Sequence, residues 1–333
     1  MRLDNILHQL DKAGDCAVTV FGDYCLDKYL YIDPVRDEAS VETGLTAYQV
    51  HKKALYPGAG GTVTQNLRAL GAKVCCVGLV GEDGEGWDLL KSLDRIGADT
   101  ELMVRSSDVM TCTYTKPMRK AEDGSYAEIN RIDIRNFKET PSLLEDKLIA
   151  NLEKAINNTQ SIVIIDQFLE RNYAAVTDRI RQKLSELAAH YAGKIFYADS
   201  RGFAGSYHNI IIKCNQLELP TTQNAEHSIQ EKMKALFTIN KRAVVVTVGE
   251  EGAYVCEGDD IVHIPAFEVK GPLDIVGAGD AASAGIVLGL SLGLSLPEAV
   301  LIGSCCSSIT IQQLGVTGTA TVEQVKQRLN TAF

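Results

Sequence analysis

The most informative segment of the chain reads Gly271-Pro-Leu-Asp274-Ile-Val-Gly277-Ala-Gly279-Asp280-Ala-Ala-Ser-Ala. Its small residues lead directly into a predicted helix, whose first amide groups have no partner inside the helix. Together with the helix dipole, these amides form a binding site for an anion such as a transferring phosphate. Asp280 falls in the first turn beside that site, where a carboxylate can accept a proton from an attacking hydroxyl. The helix N-terminus is expected to lower the pKa of Asp280 and to keep it ionised.

The same residues fit two other interpretations, neither of which involves phosphoryl transfer. One is an ordinary glycine-rich turn followed by an acidic residue. The other treats Gly277-x-Gly279-x-x-Ala282 as a dinucleotide fingerprint, which belongs on the first strand–helix turn with an acidic residue about 20 positions later. Here the pattern lies near the C-terminal end, and no acidic residue occurs between Glu298 and Glu323. A nicotinamide-dependent dehydrogenase is therefore disfavoured.

The composition is that of a globular protein. The 333 residues carry a formal charge of −10, with 45% hydrophobic and 23% charged residues, which excludes a wholly disordered or fibrous chain. The length allows one large α/β domain or two ordinary domains. The acidic balance predicts no binding to nucleic acid or to an anionic membrane surface. A small anionic ligand is still compatible with this charge, since a local loop can oppose the overall sign.

The cysteines and the uncharged runs bear on the compartment. Nine cysteines occur without a Cys-x-x-Cys pair or a Cys/His spacing that suits zinc, so we interpret them as small buried residues in a reducing environment. The N-terminal segment lacks the apolar core of a secretory signal. The helical stretches without charged residues, 281–297 and 299–313, fall short of the roughly 20 residues that a membrane-spanning helix needs. The sequence thus predicts a cytoplasmic protein.

Short β-branched runs alternate with helical stretches along most of the chain. The strand candidates are mostly apolar throughout, as expected for parallel strands covered on both faces. The predicted strands are residues 17–21, 74–79, 162–166, 195–199, 210–213 and 243–248. The predicted helices are residues 62–70, 86–96, 142–157, 173–191, 228–237, 278–292, 297–313 and 322–329. This order favours a doubly wound sheet with helices on both sides.

Two polar segments, residues 28–56 and 103–135, interrupt the alternation. They are rich in threonine, tyrosine, valine and charged residues, and they look like antiparallel strands. A small sheet inserted at one rim of a larger domain would give this pattern. Because no linker or internal repeat divides the chain, we predict a single domain over residues 1–333 that carries a β lid.

Several motifs together resemble the ribokinase-like (PfkB) carbohydrate kinases. Residues 274–280 match the family's signature Asp-Thr-x-Gly-Ala-Gly-Asp, except that Ile275 replaces threonine. Further blocks follow the family's order along nearly the whole chain: Phe21-Gly22-Asp23, Tyr56-Pro-Gly-Ala-Gly-Gly61 with Asn66, Val77-Gly-Leu-Val-Gly81-Glu-Asp83, Asn215-Gln-Leu-Glu218 and Val246-Thr247-Val-Gly249-Glu-Glu-Gly252. The resemblance implies a ribokinase-like α/β fold, with a doubly wound, mostly parallel sheet, helices on both faces and a small β lid. It also implies an ATP-dependent kinase that phosphorylates a hydroxyl of a sugar or a sugar phosphate.

Two motifs look closest to the kinase half of the bifunctional heptose-phosphate kinase/adenylyltransferases. They are Gly22-Asp23-x-x-Leu26-Asp27-x-Tyr29-x-Tyr31 and Arg131-Ile-Asp133. This likeness implies an acceptor similar to heptose 7-phosphate. Because the chain ends at Phe333, no adenylyltransferase part is expected.

The resemblance implies a catalytic role for the segment around Asp280. Asp280 would be the base on the sugar hydroxyl. The amides of Gly277, Ala278 and Gly279 would hold the charge that develops on the transferred phosphoryl group. Asp274 in the same segment would help to order a loop that binds K⁺, as in several relatives.

Binding roles for nucleotide and metal follow from the same likeness. Asn215 and Glu218 would organise Mg²⁺, largely through water, because this ion dehydrates reluctantly. Asn215 would also contact ATP, and three further residues would line it: Thr247, Gly249 and Gly252.

The acceptor would bind to the N-terminal motifs. Its hydroxyls would contact Asp23 and Asn66, and three glycines would let the backbone approach it: Gly58, Gly60 and Gly61.

The second polar segment contains four basic side chains: Lys116, Arg119, Lys120 and Arg131. They form either a solvated strand face or a contact to a phosphate already on the sugar, and Arg131 is assigned to the substrate. Asp166 and Asp199 also follow apolar strands and are secondary candidates. Since lids of relatives often pair between subunits, a homodimer formed through the lid is expected.

Three positions depart from the family pattern. Thr62 stands where the family has an asparagine after its glycines, Ile275 replaces threonine, and near the adenine only Ser304 stands where relatives often have asparagine. Because Asp280 and the glycines are retained, an active enzyme is favoured. The alternatives are a nucleoside or other small-alcohol kinase of the same fold, and a catalytically weak sugar-binding regulatory protein.

Overall fold

The computed structural model describes residues 3–220 and 228–332. The helices in this part of the chain are α1 (Leu3–Leu10), α2 (Gly60–Ala69), α3 (Gly84–Arg95), α4 (Ser142–Ile156), α5 (Asp178–His190), α6 (Ile229–Asn240), α7 (Ala278–Ser291), α8 (Leu296–Thr310) and α9 (Val322–Ala332). The strands are β1 (Ala17–Gly22), β2 (Tyr24–Ile32), β3 (Glu38–Ala39), β4 (Thr46–Ala47), β5 (Val50–Ala59), β6 (Lys73–Gly81), β7 (Val104–Ser106), β8 (Thr113–Lys120), β9 (Tyr126–Glu128), β10 (Ile132–Ile134), β11 (Ser161–Asp166), β12 (Ile195–Ser200), β13 (Ile211–Asn215), β14 (Val244–Thr247), β15 (Ala253–Glu257) and β16 (Asp260–Ile264).

The larger sheet has nine strands in the order β16-β15-β14-β13-β12-β11-β1-β6-β7. The strands from β14 to β7 run parallel, and the hairpin of β15 and β16 adds an antiparallel edge. Because β1 pairs with β6 on one side and with β11 on the other, the strand order reverses at β1. Ligands of such sheets bind beyond the carboxyl ends of the strands near this point. The prediction of a doubly wound, mostly parallel sheet is confirmed.

Helices cover both faces of this sheet. On one face, α2, α3, α7, α8 and α9 pack through buried residues such as Leu67 and Ile302, and on the other, α4, α5 and α6 do so through residues such as Leu184. Helices α7 and α8 approach each other closely, because a Cβ at Gly285 would lie 2.8 Å from the Cα of Gly303. This contact explains why the two helices are rich in small residues.

The second sheet consists of β2, β5, β8, β9 and β10, and we call it the lid sheet. Strand β2 pairs antiparallel with β5, and β8 pairs antiparallel with β9 and β10. The expectation of antiparallel strands was wrong for one pair, since β2 and β8 run parallel. The reason is that the chain passes through α2, β6, α3 and β7 between these two strands, instead of turning back in a hairpin. Strands β3 and β4 form a separate small hairpin within the first polar segment.

Most predicted elements lie within a few residues of the observed ones. The helix predicted over residues 173–191 begins only at Asp178, because the Thr177 hydroxyl caps it by accepting from the Ile180 amide at 3.3 Å. Helix α1 and the β15–β16 hairpin were not predicted. Among the residues that the structure describes, no helix is both long enough and apolar enough to cross a membrane.

Candidate active site

Polar side chains gather at the carboxyl ends of the parallel strands. Asp23 follows β1, Asp199 lies near the end of β12, Asn215 ends β13 and Thr247 ends β14. Helix α7 is joined to this edge by Ser283, whose hydroxyl donates to Asp199 Oδ2 at 2.6 Å. The fold therefore places motifs from separate parts of the sequence along one edge of the sheet.

The turn that opens α7 has the free amide groups that an anion site requires. Gly277 has a φ of +80°, a left-handed conformation that favours glycine. The amide of Ala278 donates to the carbonyl of Ile275 at 3.2 Å, so it is occupied within the protein, contrary to the sequence-based expectation. In the described part of the chain, the amides of Gly279 and Asp280 have no acceptor, as is usual in a first turn. The Gly277 amide likewise has no acceptor among the described residues, so the N–H groups of Gly277, Gly279 and Asp280 are available to an anion.

Asp280 is half-buried in this first turn. Burial raises the pKa of its carboxyl from 3.8 to about 7, and the carboxylate of Asp199 adds to the increase. Lys213 and Arg201 oppose it. The expectation that the helix N-terminus lowers this pKa was wrong, because desolvation and like charge outweigh the helix dipole. A base with a pKa near 7 is well suited to accept a proton near neutral pH.

A buried lysine that the sequence analysis did not identify lies against the first turn of α7. Lys213 Nζ is 2.8 Å from Asp199 Oδ2 and 3.4 Å from the carbonyl oxygen of Gly279. The sequence held a signal for it. Lys213 is a single cation in an apolar strand and stands two positions before Asn215, so both side chains leave the strand on the same side.

Asn215 and Glu218 hold each other in place. Asn215 Oδ1 accepts from the amides of Leu217 at 2.8 Å and Glu218 at 3.1 Å, and Glu218 Oε2 accepts from the Asn215 amide at 2.8 Å. The other oxygen, Glu218 Oε1, is 3.9 Å from Arg201 Nε and can be shared with a hydrated cation. Within residues 3–220 and 228–332, no group of three His, Cys, Asp or Glu side chains is arranged to hold a metal ion. This donor set fits a Mg²⁺ ion that keeps most of its waters.

Asp23 is 2% exposed and orders the loop that follows β11. Its carboxylate accepts from the amides of Gln167 at 2.9 Å and Ala175 at 3.0 Å. Burial raises its pKa to about 7, and the carboxylate of Asp166 contributes to the rise. Asp23 thus lies at the predicted position, and its two oxygens already bind backbone donors.

The three predicted sugar-site glycines are each required by contacts within the protein. A Cβ at Gly58 would lie 2.6 Å from Asp27 Oδ2, and one at Gly60 would lie 2.9 Å from the carbonyl oxygen of Asp23. A Cβ at Gly61 would overlap the ring of Pro57. The close approaches that these glycines permit are therefore first contacts within the protein, between β5 and β2 at Gly58 and at the start of α2 for Gly60 and Gly61.

Asn66 and Thr62 lie on the buried side of α2. Asn66 is 1% exposed, and its Nδ2 donates to the carbonyls of Thr62 at 3.0 Å and Gly318 at 3.4 Å. Its Oδ1 is buried and has no partner among the described residues, which leaves an acceptor for a ligand hydroxyl or a water. Thr62 donates to the carbonyl of Pro57 at 3.3 Å. Thr62 therefore closes the junction of β5 and α2.

Asp166, a secondary candidate, is fully used by structural contacts. Its carboxylate accepts from Arg181 Nη2 at 2.8 Å and Nε at 3.0 Å, from Ser200 Oγ at 2.9 Å and from Tyr207 Oη at 2.8 Å. Arg181 also stacks on Phe203, with its Cζ 3.7 Å from the ring centre. The expectation that Asp166 contacts a ligand is thus not supported by its surroundings, whereas Asp199 does face the catalytic turn.

The lid sheet lies within electrostatic range of Asp280. The carboxylate of Asp27 in β2 contributes to the raised pKa of Asp280. Lys116 of β8 pairs with Asp27 Oδ1 at 3.0 Å and donates to Tyr29 Oη at 3.0 Å. Around Asp27, the lid sheet therefore carries a cation, a carboxylate and an aromatic hydroxyl.

The other basic residues of the lid sheet have different partners. Arg119 pairs with Asp37 at 2.7 Å. Arg131 forms two hydrogen bonds to Asp133, at 2.8 Å and 3.0 Å, and its guanidinium lies over the ring of Tyr114. Of the predicted basic group, Lys116 is the member that the structure pairs with Asp27.

Two turns lie on the side assigned to the nucleotide. Gly249 and Gly252, which follow Thr247, have φ angles of +63° and +104°. Asp274 accepts from the amides of Val276 at 3.1 Å and Gly315 at 3.2 Å, which ties the segment before α7 to the loop after α8.

Comparison with known proteins gives one family and one fold. A family profile described as pfkB family carbohydrate kinase matches residues 22–322. The chain is 29% identical over 332 residues to the bifunctional protein HldE of Hyphomonas neptunium. That alignment covers 97% of this chain and 65% of the relative, so the chain spans about two thirds of the length of the curated relatives it matches.

Solved structures with the same fold include two kinases. Phosphofructokinase-2 from Escherichia coli, in complex with potassium, superposes with a TM-score of 0.68 at 19% identity, covering 95% of this chain and 98% of that one. Ribokinase from Arabidopsis thaliana, complexed with ribose and ATP, gives a TM-score of 0.64 at 17% identity, covering 94% of this chain and 98% of that one. At these identities the likeness shows the ribokinase-like fold.

Proposed function

Because the chain belongs to the pfkB family of carbohydrate kinases, we propose that it transfers the γ-phosphoryl group of ATP to a hydroxyl of a sugar phosphate similar to heptose 7-phosphate. The observation that carries this proposal is the position of Asp280. Its carboxylate lies in the first turn of α7, beside the free amides of Gly279 and Asp280, and Asp27 of the lid sheet contributes to its raised pKa. A base, an anion site and a polar acceptor surface thus meet at one place.

The proposed reaction is an in-line transfer. The Asp280 carboxylate accepts the proton of the acceptor hydroxyl as that oxygen forms a bond to the γ-phosphorus. The bond between the γ-phosphorus and the β,γ-bridging oxygen breaks, and ADP leaves. The amides of Gly279 and Asp280 donate to the phosphoryl oxygens where charge develops.

The nucleotide lies at the ends of β13 and β14 in this proposal. Asn215 and Glu218 hold Mg²⁺ through water, and bound Mg²⁺ supplies positive charge to the phosphates. Three residues line the nucleotide: Thr247, Gly249 and Gly252. Asp274 bridges the loops before α7 and after α8, where a K⁺ ion would bind. The Escherichia coli structure named above also holds potassium, which supports a role for this ion.

The acceptor lies between Asp280 and the lid sheet. Asp23 and Asn66 contact sugar hydroxyls, and the unpartnered Asn66 Oδ1 supports this role for the asparagine. Lys116 is placed to bind a phosphate on the acceptor, with Arg131 at the outer part of the same sheet. The likeness to the HldE proteins supports a heptose acceptor, and this lysine supports an acceptor that carries a phosphate.

We further propose a single cytoplasmic domain that forms a homodimer through the two polar segments, residues 28–56 and 103–135. All nine cysteines are free, which suits a reducing compartment. The first of these segments exposes apolar side chains that are unusual on the surface of a monomer, Val41 at 103% and Leu45 at 71% in the small hairpin of β3 and β4, and Val35 at 93% just before it. A second copy of the chain would cover them.

The test is turnover of Mg-ATP with a panel of acceptors: hexoses, heptoses, their phosphates, nucleosides and small alcohols. ADP release with a phosphorylated heptose, well above that with the free sugar, supports the proposal. Turnover of a nucleoside or small alcohol alone would replace the acceptor class. Stabilisation of the protein by a sugar without any ADP release would indicate a binding protein and contradict the proposal.

A further inference from the structure

A buried polar network connects the catalytic turn to the central sheet. Asp199 Oδ2 accepts from Lys213 Nζ at 2.8 Å and from Ser283 Oγ at 2.6 Å, and Tyr197 Oη lies 3.1 Å from the same serine hydroxyl. None of the four side chains is more than 5% exposed. A buried charge is costly unless it is paired and hydrogen-bonded, and this network satisfies that condition for both ions.

Two contacts join this network to the proposed machinery. Lys213 Nζ lies 3.4 Å from the carbonyl oxygen of Gly279, and a Cβ at Gly279 would lie 3.1 Å from the same nitrogen. Ser283 follows Asp280 by three positions on α7, so both side chains lie on one side of the helix. The ammonium group is therefore in contact with the first turn of α7 itself.

Four charged side chains of the surrounding elements influence the pKa of Asp280. Asp199 of β12 and Asp27 of the lid sheet are negative, whereas Lys213 of β13 and Arg201, which follows β12, are positive. The Arg201 side chain is 55% exposed, so water screens its charge. Lys213 is 4% exposed, and its charge acts through the protein interior, where electrostatic interactions are stronger.

We propose that Lys213 is a positioning residue of this kinase, which holds the Gly279 carbonyl and, in opposition to Asp199, sets the fraction of Asp280 that is ionised. The inference rests on the proposed function, in which Asp280 is the base. Lys213 favours the carboxylate form of Asp280, and Asp199 favours the protonated form. Removing one charge leaves the other unopposed, so the two substitutions have effects of opposite sign.

The test uses Lys213→Met, Asp199→Asn and the double variant. A matched control is Lys183→Met, because Lys183 also pairs with a carboxylate, Glu153 at 2.8 Å, but between α4 and α5. The pKa of the Asp280 carboxyl is read by ¹³C NMR in nucleotide-free protein, with its signal assigned by its loss in Asp280→Asn. The pH dependence of kcat/KM is measured in parallel.

Lys213→Met is expected to raise the pKa of Asp280 by about one unit, and Asp199→Asn to lower it by a similar amount. Lys183→Met leaves it unchanged. With Lys213→Met, kcat/KM falls roughly fivefold at pH 7 and recovers at pH 9, because more of the base is ionised there. A purely structural role for the lysine would give a loss that alkaline pH does not restore.

The double variant covers the case in which Lys213→Met does not fold. It removes both buried charges together, which proteins tolerate better than the loss of one partner. Its Asp280 pKa is expected to lie below wild type, since Asp199 has the larger effect of the two. An unchanged Asp280 pKa in both Asp199→Asn and the double variant overturns the inference. Because the NMR titration needs no turnover, this failure is distinct from a failure of the proposed function, which would show as activity in Asp280→Asn.

Discussion

Gly277 lies so close to Thr317 that a Cβ on residue 277 would be 2.8 Å from the Cγ2 methyl of the threonine. Gly277 also has a φ of +80°, a conformation that costs other residues about 1–2 kcal/mol. The turn that opens α7 is therefore fixed both by its own backbone and by the loop that precedes α9. This arrangement holds the free amides of Gly279 and Asp280 in one position.

Gly277→Ala should therefore reduce activity more than its effect on stability explains. Gly293→Ala is the matched control, because Gly293 has a φ of +78° and no atom near its Cβ position. Both variants should lose about 1–2 kcal/mol of unfolding free energy. Only Gly277→Ala should lose kcat, by roughly tenfold or more, since displaced donors at a charge-stabilising site cost that much. Equal kcat in the two variants would show that the turn does not position the reacting groups.

The rate should fall below neutral pH, because the base must be ionised. Burial, and next the Asp199 carboxylate, raise the pKa of Asp280 to about 7. We expect kcat/KM to decrease about tenfold per pH unit below pH 7 and to level off above it. A profile that stays flat down to pH 5, measured with a substrate whose own groups do not titrate there, would contradict this assignment.

The Asp280 carboxyl should make the folded protein less stable as the pH rises, whereas the reaction rate rises with pH. A carboxyl whose folded pKa is raised above the unfolded value loses stability as the pH rises from the unfolded pKa through the folded one. Asp280→Asn should therefore increase the melting temperature relative to wild type at pH 8, and have little effect near pH 4. The control is Asp11→Asn, because Asp11 lies in an exposed ion pair with Lys326. A lower melting temperature of Asp280→Asn at pH 8 would mean that the carboxylate stabilises the fold.

The roles of Lys116 and Arg131 can be distinguished by comparing acceptors with and without a phosphate. Losing a charge-assisted hydrogen bond costs about 1.5–3 kcal/mol, or roughly 10- to 150-fold in KM. Lys116→Met should raise KM for a phosphorylated sugar by this factor and change KM for the free sugar much less. Arg131→Ala and the exposed Lys120→Ala are compared in the same assay. If all three variants keep the wild-type preference for the phosphorylated sugar, the basic residues of the lid sheet do not bind that phosphate.

The proposed homodimer can be tested at the β3–β4 hairpin. Light scattering at micromolar concentration should give twice the monomer mass for wild type and the monomer mass for Val41→Asp with Leu45→Asp. Leu143→Asp, which changes an equally exposed leucine on α4, should remain dimeric. A wild-type monomer would contradict the proposal.

The sequence was sufficient for the parts of the site that lie next to a strand end or a helix start. Asp280 could be predicted because small residues before a helix have a direct physical meaning, and Asn215 because it ends an apolar strand. The order of elements predicted the main sheet for the same reason. These features depend on neighbours along the chain.

Other features depend on contacts between distant segments, and the sequence did not predict them. Lys213 acts through Asp199 and Gly279, which are 14 and 66 positions away. The pKa of Asp280 follows from burial and from Asp199, and not from the helix end alone. Asp166 was a secondary candidate because it follows an apolar strand, but its carboxylate accepts hydrogen bonds from Arg181, Ser200 and Tyr207, which are distant in the sequence.

The central claim is that Asp280 accepts the proton of the acceptor hydroxyl, and Asp280→Asn tests it most directly. Asparagine is nearly the same size and also caps a helix start, so the fold is retained. The measurement is kcat for Mg-ATP and an accepted sugar, with nucleotide Kd and melting temperature as controls. We expect kcat to fall by about 10²–10⁴, the usual contribution of a positioned general base, while the nucleotide still binds. A well-folded Asp280→Asn variant with near wild-type kcat would contradict the claim.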